Sequence, residues 1–121
     1  MNSSMTLRLG ALFAGLAVAF GAFAAHALRD RLDAQALQTL ETGVRYQMYH
    51  ALALVLCAAL AENGRRVTAA ALCFAVGIVL FSGSLYGLVL GDLKWLGPVT
   101  PIGGVSFLAG WVLLVLSRRV G

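Results

Sequence analysis

Four apolar runs separated by short charged connectors constrain this chain more than any other feature. They cover residues 9–28, 46–61, 67–90 and the stretch that opens at Gly97 and closes at Leu116. A helix of about 20 apolar residues crosses a hydrocarbon core of about 30 Å. Composition agrees: 60% of the residues are hydrophobic and 12% charged, against about 25% charged in an ordinary soluble domain. A small soluble core cannot hide so much apolar surface. The expectation is an all-α membrane protein: one domain of four transmembrane helices in an antiparallel up-down bundle, over residues 7–28, 43–61, 67–90 and 99–117.

The net charge of +4 would suggest nucleic acid in a soluble chain. Here the basic residues sit in connectors beside apolar runs and read as topology signals. Nucleic acid is therefore not an expected partner, whereas membrane lipids are. Four crossings place Arg8, Arg65, Arg66, Arg118 and Arg119 on one side, with Arg29, Arg31, Arg45 and Lys94 on the other. The excess of positive charge predicts that both termini face the cytoplasm. Cys57 and Cys73 both lie inside apolar runs and read as small buried hydrophobes rather than a disulfide.

The start of the chain has the look of a secretion signal, with Arg8 before an apolar run and small residues flanking Phe23 and His26. The run exceeds the ~7–15 residues of a signal core. It also carries Gly10, Ala14, Ala17, Gly21 and Ala25 at helical spacing, a stripe suited to helix–helix contact. It is expected to stay as the first span. Residues 29–41 place Leu32, Ala36, Leu37 and Leu40 at helical spacing among polar residues. They predict a short amphipathic helix on the membrane surface.

The second apolar run is short for a crossing, at about 24 Å. Its helix is therefore expected to start near Gly43 and to carry Arg45 and Gln47 inward, with Arg45 snorkelling to the interface. Gly43, Gln47 and His50 share a face by spacing, flanked by Tyr46 and Tyr49. Asn63-Gly64 marks a tight turn. In the third run Gly83, Gly87 and Gly91 repeat every fourth residue, near Ser82, Ser84 and Tyr86. Trp95 reads as an interfacial anchor. Thr100 is the expected N-cap of the fourth helix, with Pro101 in its first turn. Gly21, Gly83, Gly87, Gly91, Gly103 and Gly110 are the expected packing glycines.

This topology is expected to bring His26, Tyr46, Gln47, His50, Ser82, Ser84, Tyr86 and Thr100 into one outer-leaflet layer. Polar groups at that depth need a partner or a task. Two histidines can ligate haem or a metal, but no Cys, Asp or Glu shares the layer, so no metal or cofactor is expected. Proton-coupled transport calls for an intramembrane carboxylate, and the five acidic residues all lie in connectors. Hydrolysis by Ser82 and His50 would lack an orienting acid. The reading that leads is an interhelical hydrogen-bond network in a non-enzymatic structural or accessory protein, free to form a homo-oligomer or join a larger membrane complex. The alternative is a binder or transporter of a small molecule, lipid or quinone, using His26 and His50.

Four ordered motifs carry a resemblance: G-A-F-A-A-H-A-L over 21–28, T-G-V-R-Y-Q-M-Y-H-A-L-A-L over 42–54, F-S-G-S-L-Y over 81–86 and L-G-P-V-T-P-I-G-G over 96–104, followed by Gly110-Trp111. The chain resembles the YgdD-like family, small bacterial inner-membrane proteins grouped as a domain of unknown function. Ala24 stands where that family usually has glycine, and Arg45 where it usually has glutamine. The resemblance implies four transmembrane helices and a plasma-membrane location, and brings no enzymatic activity with it. The family's signature positions fall on His26, Tyr46, Gln47, His50, Ser82, Ser84, Tyr86, Thr100 and Pro101.

Overall fold

The structure is a computed structural model describing residues 1–120. Its regular elements are helical: α1 (Ser3–His26), α2 (Ala34–Glu62), α3 (Thr68–Gly77), a π-helical turn (Ile78–Ser82), α4 (Gly83–Leu90), a short 3-10 turn (Lys94–Leu96) and α5 (Val99–Val115). Four stretches are long and apolar enough to cross a membrane: Ser3–His26, Ala34–Glu62, Thr68–Leu90 and Lys94–Val115.

Local chemistry sets the boundaries. The Asn2 side chain accepts from the Met5 N–H at 2.8 Å and starts α1. Asp33 accepts from the Ala36 N–H at 2.7 Å and starts α2. Each satisfies an amide that a helix N-terminus leaves unpaired. The Asn-Gly turn closes α2: Gly64 has φ +84°, Arg65 N donates to Leu60 O and Gly64 N to Ala61 O, both at 3.0 Å. That is the double bond pattern of a Schellman stop, which favours glycine at the left-handed residue.

The first correction concerns the connector. A separate surface helix over 29–41 does not form. Residues 27–32 make turns and bends, and residues 34–41 are the first turns of α2 itself. Gly43, the expected start of the second span on grounds of crossing length, is not the helix start, since α2 begins nine residues earlier at Ala34. Gly43 lies inside α2 because a neighbour needs the space: a Cβ there would sit 2.9 Å from Tyr86 Cε1. Arg45 lies 68% exposed beside Glu41, at 4.0 Å. Helix α1 runs from Ser3 to His26 rather than over 7–28.

Helix α1 packs along α2. The Ser3 hydroxyl donates to Glu62, Gly10 meets Ala51 and Leu54, and Gly21 meets Val44. The buried residues of α1, Thr6, Gly10, Ala17 and Ala24, follow the small-residue stripe closely, with Ala24 in place of Ala25. Helices α3 and α5 interlock through two glycine–phenylalanine pairs. The Phe107 ring fills the space beside Gly77, and the Phe74 ring lies where a Gly110 Cβ would come to 2.6 Å. Gly103 faces the backbone of Phe81 in the same way, and Gly87 faces Leu96. Gly91 touches the nearby Gly87 carbonyl and Leu93. Gly83 is different: no atom lies within 4 Å of its Cβ position, so it is not a packing glycine.

The core gathers Ala51, Leu54, Cys57, Ala70, Phe74, Ile78 and Phe107 between α2, α3 and α5. Cys57 is fully buried and both cysteines are free. Large apolar side chains also cover the outside, including Leu12, Val79, Val105, Leu108 and Val115. Such a surface is a liability in water and is what hydrocarbon requires.

Candidate functional site

The buried polar side chains are Thr6, Gln47, His50, Ser82 and Ser84. They do not form one layer. Thr6 bonds back to Asn2 O within α1 at 2.8 Å, and the other four form a staircase of separate interhelical bonds along α2 and α4.

Its first step joins Ser84 to Thr100. Their hydroxyls lie 2.5 Å apart, and Ser84 Oγ also lies 2.8 Å from Phe81 O. Thr100 therefore bridges to α4 and does not cap α5, which is preceded by Pro98. On the next step the Ser82 hydroxyl donates to Gly43 O at 2.6 Å. The π-helical turn places Ser82 there, fully buried against α2. An α-helix with one π turn shifts the facing of every residue beyond it.

Gln47 makes the third step in both directions. Its Nε2 donates to Phe13 O on α1 at 2.7 Å, and its Oε1 accepts from the Tyr86 hydroxyl at 2.6 Å. One amide thus ties α1, α2 and α4 together. The Tyr86 ring stacks on Phe20 of α1 at 4.9 Å.

The fourth step is His50, and its chemistry is fully specified. Trp111 Nε1 lies 3.0 Å from His50 Nε2. An indole N–H only donates, so Nε2 must be the unprotonated acceptor. Nδ1 then carries the hydrogen and donates to Tyr46 O at 2.8 Å. His50 is held as the neutral Nδ1–H tautomer with both nitrogens occupied. Its ring stacks on Phe107 at 3.6 Å and 6°, and Phe74 and Trp111 pack around it. No buried side-chain N or O among the described residues lacks a partner.

One expected member stands apart, and another joins the site by its carbonyl and ring. His26 ends α1 as an exposed residue, beyond the level where Gly21 meets Val44, and is not brought to His50. Tyr46 is 41% exposed, with its ring against Phe81 at 4.9 Å. Ser82 and His50, considered above as a nucleophile and base, each bond elsewhere. Trp111 is the residue that polarity alone did not single out. Its signal was the spacing Phe107–Trp111 on one face of the last helix.

Beside this staircase an apolar groove of about 460 Å³ opens on the outer surface between α2 and α5, walled by Tyr46, His50, Phe81, Phe107, Leu108 and Trp111. No group of three or more His, Cys, Asp or Glu side chains able to hold a metal ion occurs among the described residues.

Four apolar spans whose polar side chains turn inward to one another define a polytopic α-helical membrane protein. Residues 20–104 match the family described as "Protein of unknown function (DUF423)". The chain is 49% identical to the UPF0382 membrane protein YwdK of Bacillus subtilis over 113 residues, covering 90% of this chain and 91% of that protein. It is 44% identical to the UPF0382 membrane protein SAB0533 of Staphylococcus aureus over 110 residues, covering 90% of each. It is 42% identical to the UPF0382 inner membrane protein YgdD of Escherichia coli over 121 residues, covering 97% of this chain and 91% of that one. The chain belongs to this DUF423 family of membrane proteins. No solved structure matches it.

Proposed function

We propose that the chain is a non-enzymatic structural or accessory protein of the bacterial plasma membrane, crossing it four times as an antiparallel up-down bundle with both termini in the cytoplasm. Several observations support the topology. Ser3 pairs with Glu62 while Gly21 pairs with Val44, so α1 and α2 run in opposite senses. Phe74 meets Gly110 while Ser84 meets Thr100, so the third and fourth spans do too. Arg8, Arg65, Arg66, Arg118 and Arg119 sit at the end that carries both termini, consistent with that end facing inward. Helix α2 has 29 residues and is about 43 Å long, longer than a ~30 Å hydrocarbon core. Its polar first turns, over 34–41, then lie in the headgroup region.

The observation that carries the functional reading is the pairing of every buried polar side chain with another part of the same chain. Membrane hydrogen bonds of this kind average about 0.6 kcal/mol; their larger effect is to fix one helix register. A bundle so arranged presents a fixed apolar exterior to lipid, to a second copy or to a larger complex. Helix α5 contributes much of it through Ile102, Val105, Leu108 and Val112.

A second reading rests on the groove beside Tyr46 and Trp111: an apolar chain or a quinone ring lying against the aromatic wall. It replaces the His26/His50 pairing, since His26 is remote and His50 is already bonded. Native mass spectrometry of the wild type and Leu108→Trp, which fills the groove, separates the two. Bare protein or the same scatter of bulk lipids in both supports the structural reading. A discrete extra mass in the wild type that Leu108→Trp removes supports the binder.

A further inference from the structure

The end of the bundle that carries both termini is closed by a backbone clip. Arg66 N donates to Arg118 O at 2.9 Å and Val120 N donates to Gly64 O at 2.7 Å. These two bonds flank Arg65 and Arg119, which face each other as an isolated antiparallel bridge. A pair flanked in this way is the closely spaced, non-hydrogen-bonded kind, with Cα atoms about 4.5 Å apart. Like charges directly opposite one another are destabilising. Yet the clip fixes two arginines across from each other with Arg66 and Arg118 beside them.

Among the described residues no carboxylate pairs with this cluster. Arg65 directs Nη1 to Ser117 O and Oγ, at 2.9 and 3.2 Å, which are neutral partners. Among the described residues Glu62 is the one acidic side chain of this end, and it accepts from Ser3. The ion pair present among the described residues, Glu41 with Arg45, belongs to the opposite end. Arg66, Arg118 and Arg119 are exposed. The clip joins α2 to α3 where two apolar spans end, and the ends of a crossing helix meet the headgroup region.

We propose that this clip is a docking site for the phosphate headgroup of an anionic phospholipid, with Arg66, Arg118 and Arg119 as its contacts and Arg65 as the residue that holds the tail in place. The leaflet supplies the counter-charge that no described side chain places against these arginines. Basic pockets at the ends of membrane helices recognise anionic headgroups in this way. Fixing the arginines on one ribbon distinguishes the site from the diffuse charge of a flexible tail.

The test uses the full chain in mild detergent, titrated with phosphatidylglycerol or phosphatidylcholine and read by native mass spectrometry. The expected result is tighter binding of phosphatidylglycerol, weakened roughly 25-fold by Arg66→Gln/Arg119→Gln, since each exposed basic residue contributes about fivefold. Arg29→Gln/Arg31→Gln removes the same charge from the opposite end and should change binding less than about twofold, since the contact is local. Arg66→Lys/Arg119→Lys keeps the charge and should stay within about fivefold of wild type. Equal losses at the two ends would overturn the proposal, as would a wild type blind to lipid charge. Binding lost equally in the lysine variant, or displaced fully by inorganic phosphate alone, would overturn it too.

Discussion

Replacing Gly103 by alanine is the sharpest stability experiment this bundle offers. An ideal Cβ at Gly103 would lie 2.7 Å from Phe81 Cα and 2.8 Å from Phe81 Cβ. These atoms belong to the backbone and its first side-chain carbon, so they cannot rotate away. Alanine gains about 1 kcal/mol of helix propensity over glycine. Overpacking a tight contact costs about 1–3 kcal/mol, and a backbone neighbour puts this site at the upper end. The net expectation is a loss of about 2 kcal/mol. Gly83→Ala is the internal control, because nothing lies within 4 Å of its Cβ position. It should gain about 0.5–1 kcal/mol. Unfolding in detergent followed by circular dichroism ranks the two variants against wild type. A Gly103→Ala protein as stable as wild type would refute the close approach of α5 to the π-helical turn. A destabilised Gly83→Ala would refute the open face on α4.

Other substitutions test single contacts by the same unfolding measurement. Ser82→Ala removes the bond to Gly43 O and should cost about 0.6 kcal/mol, the membrane average; no change at all would mean the π turn is set by something else. Tyr86→Phe leaves Gln47 Oε1 without its donor. It should cost about 1–3 kcal/mol for the stranded buried acceptor, and Gln47→Leu/Tyr86→Phe should cost less than the sum of the two single changes. Gly64→Ala forces a side chain into φ +84° at about 1–2 kcal/mol, and should loosen the tail clip as well, read as faster amide exchange at Val120.

Much of the fold was legible before any coordinates. Run length and charge placement gave four spans, because a hydrocarbon solvent leaves few alternatives. The Gly43, Gln47 and His50 face was also readable, and all three are buried. The helix boundary near Gly43 rests on the length a crossing needs, which is only a minimum, and α2 continues nine residues further, from Ala34. Thr100 was read as a cap by its place before Pro101; its hydroxyl instead meets Ser84 across the bundle, and no local pattern encodes a cross-bundle partner. Gly83 followed the glycine repeat, yet the π turn before it changes which residues of α4 face inward. His26 matched a family motif and sits at a helix end, which spacing alone could not separate from a buried ligand. Trp111 was invisible to a search for polar groups, because an indole at a lipid boundary counts as apolar in composition.

Nitrogen-15 NMR of the His50 ring in the full chain tests the central claim most directly. If the polar side chains serve to tie the helices, His50 shows a single neutral Nδ1–H tautomer, with Nε2 hydrogen-bonded to the Trp111 indole N–H and released by Trp111→Phe. An Nε2–H tautomer, a mixture of tautomers, or an Nε2 signal indifferent to Trp111→Phe would contradict it and return His50 to the list of groups free to bind a ligand.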